Sequence, residues 1–450
     1  MKKRLLGTLL SVAMLASLLA GCGNSETSQS ADSDTEIEAD SEVKADVEAE
    51  TEAQEETLSV WCWDPNFNIY AMKEAEKIYQ KEHPNFKLEI VENVYTDIEQ
   101  KLITAAEAKD YSTLPDIFLM QDYSYSKMVT NYPELYTDLT DSGIDFSQFT
   151  AGKVSDSTVD GKHYGIPFDN GAVIYAIRTD IIEQAGLKAE DFKDITWNKL
   201  LELGQKVLDE TGCPMLTACG GSELVIMMMQ SAGASPMVDG KVNLANNEAL
   251  KEALTIYKKL IDTGIMIDYT DWDQYIASMN DGTAAGVIQG CWIMSSIQAA
   301  EDQAGKWQIT TLPKVDGVDT ATNYANNGGS SWYITSNCKN PDLAKDFLVK
   351  TFGSSTEFYD AILPATSGIA CYMPAGESEV YNEPVEFYGG QPIYSTLVEY
   401  SSHIPEFTKT PYHYEAREAV NTAIINITNG TAKEDALKEA QETLEFKMSE

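Results

Sequence analysis

Apolar and polar residues follow two different spacings in the chain from Leu58 onward. Residues 57–62 alternate apolar and polar positions, as half-buried strands do, whereas residues 71–79 place apolar side chains at helical spacing. The pair His83-Pro84 ends this first helix. The pattern continues with a strand at 86–90, a helix at 98–106 and a short buried strand at 115–120. Strands that alternate with helices predict a mostly parallel sheet covered by helices on both faces.

A second strand–helix alternation begins after Asn170. Its predicted strands are 173–177 and 215–218, and its predicted helices are 197–209, 222–232, 246–262, 415–427 and 433–446. Two α/β lobes account for this restart and suit a length of 450 residues, which is too long for one ordinary domain. Ligands of such sheets bind beyond the carboxyl ends of the strands and often between domains, so we expect a cleft between the lobes.

The first 22 residues have the pattern of an export signal. Three positive charges at residues 2–4 precede 15 largely apolar residues at 5–19, which are too few to cross a bilayer comfortably. The following Leu19-Ala20-Gly21-Cys22 resembles the lipobox of bacterial lipoproteins, in which the cysteine is lipidated. An ordinary signal peptide with a chance cysteine is the alternative. We expect acyl chains on Cys22 to hold the protein at the outer face of the cell membrane.

Charge divides the chain into three parts. The net charge of −39 consists of +3 in residues 1–22, −12 in residues 23–57 and −30 in the remainder. Residues 23–57 contain no aromatic residue and bury too little apolar area to offset the entropy of ordering, so we expect a disordered tether. An acidic surface repels phosphate backbones, which argues against nucleic acid as a partner.

Cysteine spacing and catalytic motifs give no sign of a metal, a cofactor or an enzyme. Six cysteines follow Cys22, and we expect free thiols, with Cys213 and Cys219 the pair most able to form a disulfide. No cysteine pair has zinc-finger spacing. The chain lacks a glycine-rich phosphate loop, a G-x-S-x-G elbow and an H-E-x-x-H motif. Acidic pairs are plentiful, so a glycan-active enzyme stays open as an alternative.

From Leu58 to its end, the chain resembles the extracellular solute-binding proteins typified by maltose-binding protein. The resemblance rests on short blocks in the family's order: 115–118 (PDIF), 164–168 (YGIPF) with 174–175 (IY), 185–187 (AGL) with 196–197 (TW), 282–292 (GTAAGVIQGCW), 312–313 (LP) and 340–347 (NPDLAKDF). Each block is weak alone. Two departures are Ala176, where the family has Asn, and Gly286, where it has Met.

The resemblance implies a two-lobed periplasmic-binding-protein fold of type II, with hinge crossings near Asp169-Asn170, near Leu312-Pro313 and near Gly353. We expect residues 58–169 and 313–353 to form the N-terminal lobe. Residues 170–312 and 354–450 would form the C-terminal lobe. Such a protein captures a solute by hinge closure and delivers it to the permease of an ABC importer. We expect a monomer.

Three candidate site residues match binding residues of that family. Trp292 matches its stacking tryptophan, although a core tryptophan at a helix start is the alternative. Asp122 follows the strand at 116–120 and matches a hydroxyl-binding carboxylate, with a helix N-cap as the alternative. Asp169 matches an acidic residue at the crossing, with a turn-forming aspartate as the alternative. Sugars need such a combination, because aromatic rings stack on their C–H faces and carboxylates accept from their hydroxyls.

Four further candidates carry less specific signals. Trp63 and Asp64 follow the first strand, and Tyr412 and His413 fall where the family places an aromatic residue near the ligand. For Trp272 and Asp273 we expect surface packing, and three further tryptophans, Trp197, Trp307 and Trp332, we assign to the core.

The sequence therefore favours a lipid-anchored sugar receptor. A receptor for a peptide, polyamine or other cation is the alternative within the same class, because the candidate aspartates would also suit an ammonium group. The scarcity of arginine near the candidates argues against a carboxylate or phosphate ligand.

Overall fold

The computed structural model describes residues 56–405 and 410–449. Cys22, the signal segment and residues 23–55 of the predicted tether lie outside the described residues. The first strand begins at Glu56, so the last two residues of the predicted tether are part of the sheet. They pair with Phe86 and Lys87 on the neighbouring strand, and these backbone hydrogen bonds order them.

The chain first builds three strands and three helices in alternation: β1 (Glu56–Cys62), α1 (Asn68–Tyr79), β2 (Phe86–Glu92), α2 (Tyr95–Ala108), β3 (Ile117–Gln121) and α3 (Asp122–Asn131). It continues through α4 (Ala151–Asp156), β4 (Thr158–Val159) and β5 (Lys162–His163) into the long strand β6 (Gly165–Arg178).

The second run contains α5 (Thr179–Ile182), α6 (Trp197–Thr211), β7 (Leu216–Cys219), α7 (Ser222–Ser231), β8 (Met237–Val238), β9 (Lys241–Val242), α8 (Glu248–Asp262), β10 (Met266–Tyr269), α9 (Trp272–Asn280), β11 (Gly286–Gly290), α10 (Ile293–Gln298) and β12 (Trp307–Thr310). The last part contains β13 (Asn326–Ile334), α11 (Pro341–Lys350), α12 (Thr356–Thr366), α13 (Ile393–Ser402), α14 (His413–Thr428) and α15 (Lys433–Lys447).

Local sequence signals explain several helix ends. The hydroxyl of Thr196 accepts a hydrogen bond from the backbone N–H of Lys199 at 3.3 Å and so begins α6. That helix stops at Gly212, whose φ of 72° is open to glycine at little cost. Asn340 caps α11 in the same way, and Pro341 occupies its first turn.

One mixed sheet of nine strands passes through the molecule in the order β10-β7-β11-β6-β13-β3-β1-β2, with β12 also paired to β6. The outer strands are parallel, whereas β6 and β13 run antiparallel to their neighbours. Residues 165–172 of β6 pair with β13, and residues 173–178 pair with β11 and β12. The strands β6 and β13 therefore cross between a first lobe, with β1–β3, and a second lobe, with β7 and β10–β12.

Each lobe has apolar clusters on its part of the sheet. The second lobe packs Trp197 and Tyr175 with residues of α7, α8, α14 and α15. The first lobe packs Trp332 and Phe347 with residues of α1. The predicted α/β fold with helices on both faces is confirmed.

Two segments pack differently from the predicted lobe boundaries. Val315 and Ala325 lie in the apolar cluster of the second lobe, although residues 313–353 were expected in the first. Phe358 and Tyr359 of α12 lie in the cluster of the first lobe, although residues 354–450 were expected in the second. The reason is aromatic packing, since the rings of Phe358 and Phe352 are 4.5 Å apart.

The six cysteines after Cys22 carry free thiols. The Sγ atom of Cys213 lies 3.4 Å from the carbonyl oxygen of Thr283. In the part of the chain that the structure describes, no helix combines the length and the apolar character needed to cross a membrane.

Candidate ligand-binding site between the lobes

Trp292 lies where the two lobes meet, between β11 and α10. Its Nε1 donates to the carbonyl oxygen of Asn327 on β13 at 2.9 Å. A Cβ atom at Gly290 would overlap the indole, so the absence of a side chain there lets the ring approach the backbone. The ring packs against apolar clusters of both lobes. Backbone geometry therefore fixes its position.

Trp272 extends this aromatic surface. Its ring lies 6.0 Å from that of Trp292 at an interplanar angle of 29°. Asp271 orients the start of α9 by accepting from the N–H of Gln274 at 3.0 Å. Trp272 remains 44% exposed.

Trp63 occupies the opposite side, at the carboxyl end of β1. The side-chain oxygen of Asn68 accepts from the backbone N–H groups of Trp63 and Asp64, at 3.0 and 3.1 Å, and so shapes the turn. Trp63 meets the ring of Tyr95 edge to face at 6.3 Å. Tyr95 in turn stacks on Tyr414 of α14, at 6.5 Å and 25°. This stack joins the two lobes.

The first two turns of α14 bring second-lobe side chains to the first lobe. The hydroxyl of Tyr414 donates to the side-chain oxygen of Gln121 at the end of β3. One turn later, the guanidinium carbon of Arg417 lies 5.5 Å from the centre of the Tyr414 ring. Its Nη1 donates to Oε1 of Glu223 at 2.7 Å.

Glu223 connects this chain of contacts to Trp292. Its Oε2 accepts from the amide of Gln289 at 3.1 Å and from that of Asn327 at 3.3 Å. A continuous set of contacts therefore runs between the two tryptophans. This interlobe network consists of Trp63, Tyr95, Gln121, Tyr414, Arg417, Glu223, Gln289, Asn327 and Trp292.

Of the sequence candidates, the structure brings Trp63 and Trp292 into the network. Glu223 could have been found, because it follows closely on β7, where the carboxyl ends of parallel strands meet. Arg417 also had a signal, as one of only three arginines in the chain. The expectation was that arginine is scarce near the candidates, and Arg417 is the one arginine in the network. The amides of Gln289 and Asn327 lie within ordinary strand patterns and had no signal.

Asp122 lies at the first turn of α3 but outside the network. Its side chain is 5% exposed, pairs with Lys153 of α4, and accepts from the hydroxyl of Ser331 at 3.1 Å. Burial alone would lower the pKa of Lys153, but the charge of Asp122 outweighs it and holds that pKa above its usual value. The carboxylate of Asp122 is therefore engaged by side chains of the protein itself.

Asp169 is also buried, and it links the two crossing strands. It accepts from the backbone N–H of Ser330 at 2.9 Å and from the hydroxyl of the same residue. Burial raises the pKa of its carboxyl, and the nearby positive charge of Lys153 opposes this rise. Its contacts hold β6 to β13 at the crossing.

Asp64 forms a turn before α1. Its Oδ1 accepts from the backbone N–H groups of Asn66 and Phe67, at 2.8 and 3.1 Å. Burial raises the pKa of its carboxyl, although both hydrogen bonds oppose the rise. These contacts place Asp64 beside Trp63, with its side chain engaged by the backbone.

Tyr412 and His413 lie at the start of α14, one turn before Arg417. Tyr412 packs against the apolar cluster of the second lobe. His413 is buried and stacks on Tyr123 of the first lobe, with ring centres 3.7 Å apart and planes at 4°. Burial lowers the pKa of His413 to about 3, and Arg417 adds to this effect. His413 therefore contributes to lobe contact as a neutral ring.

Two cavities lie near these residues. A cavity of about 10 Å³ lies beside Glu223 and Gln289. A second cavity of about 210 Å³ lies between α3 and α4, beside Asp122 and Asp156. Both are smaller than the roughly 300–1,000 Å³ of small-molecule sites. Neither cavity as it stands has the volume of a typical small-molecule site.

Comparison with known proteins decides the family. Residues 74–378 match the sequence profile described as bacterial extracellular solute-binding protein. The lactose-binding protein of Rhizobium radiobacter is 35% identical over 383 residues, which are 85% of this chain and 90% of that protein. The chain belongs to the bacterial extracellular solute-binding family. The resemblance seen in the sequence blocks is thereby confirmed.

Solved structures agree on the solute-binding fold. The GacH receptor of Streptomyces glaucescens superposes with a TM-score of 0.75 at 15% identity, covering 88% of this chain and 98% of the receptor. An ABC-transporter-associated binding protein of B. animalis subsp. lactis gives 0.74 at 22% identity, with the same coverages. The expected two-lobed fold of periplasmic binding proteins is confirmed.

Proposed function

We propose that this solute-binding protein captures a sugar between its lobes and delivers it to an ABC importer. The observation that carries the proposal is the interlobe network, which has a tryptophan at each end and hydrogen-bonding groups between them. A sugar ring needs both, because its C–H faces stack on aromatic rings and its hydroxyls donate and accept hydrogen bonds.

The family relationship supports a carbohydrate in particular. The relative with 35% identity over most of the chain is a lactose-binding protein, which makes lactose the first ligand to test. The aromatic surface of Trp292 and Trp272 fits the apolar face of such a sugar.

Closure of the two lobes would signal to the permease that the receptor has bound its ligand. A ligand that touches both lobes stabilises the closed form only by its differential affinity for that form. The strands β6 and β13 connect the lobes and are the proposed hinge. A permease that recognises the closed form would then distinguish loaded from empty receptor.

The sequence supports a lipid anchor at Cys22 and a position at the outer face of the cell membrane. Acyl chains on one residue would hold the protein stably, and the acidic segment would separate it from the bilayer. Cys22→Ala should therefore move the protein from the membrane pellet to the medium. A variant that stays in the pellet would contradict the anchor.

A thermal-shift screen tests the sugar. Lactose and other mono- and oligosaccharides are compared with amino acids and polyamines, and a ligand at 100 times its Kd should add about 2.7 kcal/mol. Shifts by polyamines alone would contradict the proposal and favour a cation receptor. New reducing ends released from oligosaccharides would instead indicate an enzyme.

Trp292→Ala tests the site. Loss of a stacked ring should weaken sugar binding about tenfold, or about 1.4 kcal/mol, in a calorimetric titration. Phe446→Ala is the control, because Phe446 is an exposed aromatic of α15 outside the network. Equal affinities of the two variants would remove Trp292 from the site.

A further inference from the structure

Arg417 and Glu223 form an ion pair inside the interlobe network. The pair joins Nη1 of α14 to Oε1 of α7 at 2.7 Å, with side chains 28% and 23% exposed. The other charged groups of opposite sign nearest the crossing, Asp122 and Lys153, are sealed at 5% and 8% exposure. The pair of Arg417 and Glu223 is thus partly open to solvent.

Both members are held in place by other groups. Glu223 is fixed by the amides of Gln289 and Asn327. The positive charge of Arg417 is stabilised by Glu223, and also by Tyr95 and Tyr414. Tyr95 belongs to the first lobe, so the guanidinium lies between side chains of both lobes. A pair held this way is preorganised for a ligand.

The pair still has hydrogen-bonding capacity. An ionised carboxylate offers about four acceptor positions, of which Arg417, Gln289 and Asn327 use three. A guanidinium carries five N–H donors, of which Arg417 directs one to Glu223 and another to the hydroxyl of Tyr95. An acceptor and a donor therefore stand side by side.

A hydroxyl group matches such a pair, because it donates to a carboxylate and accepts from a guanidinium at the same time. A ligand carboxylate would be attracted by Arg417 but repelled by Glu223, and an ammonium group would meet the reverse. Partial burial strengthens both repulsions relative to bulk water. The pair as a whole is neutral and favours neutral polar groups.

We propose that Arg417 and Glu223 together determine specificity for a neutral sugar and discriminate against sugars that carry a carboxylate or a free amine. This inference rests on the proposed sugar-binding function. Arg417, the one arginine in the network, then recognises hydroxyl groups by hydrogen bonding and does not bind an anion.

Calorimetric titration with three matched disaccharides tests the inference. The probes are lactose, its free-amine analogue galactosyl-glucosamine, and its carboxylate analogue galacturonosyl-glucose. The wild-type protein should bind lactose at least tenfold more tightly than either charged analogue. Binding of a charged analogue as tightly as lactose would overturn the inference but leave the sugar receptor intact. Failure of all three probes, and of every sugar in the screen, would overturn the proposed function itself.

Two variants identify the residues responsible. Arg417→Met should weaken lactose binding roughly 10- to 150-fold, the range expected for a hydrogen bond to a charged group. It should also reduce discrimination against the amine. Glu223→Gln should instead shift the preference toward the carboxylate analogue, because the arginine then lacks its counter-charge. If the ratios of the three probe affinities in both variants equal those of the wild-type protein, the inference is overturned.

Controls separate specificity from stability. Lys447→Met removes a positive charge of α15 that pairs with Glu418 of α14 outside the network, and it should leave the ratios of the three probe affinities unchanged. Arg417→Lys keeps the charge without the planar fork, so it should retain discrimination against the amine while losing affinity for lactose. If the Arg417→Met variant does not fold, the ratios of the three probe affinities in Arg417→Lys and Glu223→Gln test the inference instead.

Discussion

Glu223 accepts hydrogen bonds from three side chains that belong to α14, β11 and β13. Its orientation therefore depends on elements that are distant in sequence. The same holds for Trp292, whose indole is held by the backbone of Asn327. At the scale of single residues, the site consists of side chains whose partners fix them before a ligand arrives.

Lys153 differs from these site residues, because its partners bury it away from solvent. It pairs with Asp122, and its Nζ also donates to the carbonyl oxygen of Ser330 at 3.3 Å. Lys153→Met would leave the carboxylate of Asp122 buried without a counter-charge. We expect a loss of about 3–5 kcal/mol in the free energy of unfolding, measured with urea.

The matched control for Lys153 is Lys77→Met. Lys77 is largely exposed and pairs with Glu74 on the surface of α1, so its loss should leave the free energy of unfolding nearly unchanged. If Lys153→Met costs no more than this control, the buried pair is not a structural element of the crossing.

These residues also show what could be predicted from the sequence and what could not. Trp292 and Trp63 follow strands whose carboxyl ends face the cleft, and the structure brings both into the network. Asp122 also follows such a strand, and Asp169 lies within β6 at the crossing, yet Lys153 and Ser330 cover them. Such partners come from remote parts of the chain, and no local pattern reveals them.

At the scale of elements, α14 brings several second-lobe side chains to the first lobe. Tyr414 contacts Gln121, Glu415 pairs with Lys127, and His413 stacks on Tyr123. The sequence predicted this helix from 415 and so missed the turn that makes the contact. Tyr412 and His413 were chosen as ligand residues, whereas Arg417 lies one helical turn further on.

The stack of His413 on Tyr123 predicts a dependence of stability on pH. The pKa of His413 is lowered from 6.5 to about 3, by burial and then by Arg417. Between these values the unfolded chain binds a proton that the folded chain excludes. The neutral His413 therefore makes its full contribution to the free energy of unfolding above pH 6.5, and this contribution is lost as the pH falls toward 3. At pH 5 the loss should reach about 2 kcal/mol.

His413→Phe isolates this contribution because phenylalanine keeps an aromatic ring against Tyr123 but cannot take up a proton. The neighbouring charged groups, Arg417, Lys127 and Glu415, stay the same in both proteins. The difference in unfolding free energy between variant and wild type should grow by about 2 kcal/mol from pH 7.5 to pH 5. A constant difference would mean that His413 does not change its protonation on unfolding.

At the scale of the whole molecule, the crossing strands β6 and β13 join two lobes that each have their own core. The registers of the two strands shift between Asn326 and Gly329 and again between Ser330 and Ser331. Such irregularities weaken the ladder locally at the crossing and suit a hinge. The alternation of strands and helices was sufficient to predict two α/β lobes. The exchange of α12 to the first lobe depends on aromatic packing, which the alternation does not encode.

Binding between the lobes has a consequence that one measurement tests directly. Hydrogen–deuterium exchange is followed by mass spectrometry with and without a saturating sugar from the screen. The account predicts slower exchange in both lobes at once, around Trp63 and Tyr95 in the first and along α7 and α14 in the second. Protection confined to one lobe, or absent from both while the sugar is bound, would contradict capture of a sugar between the lobes.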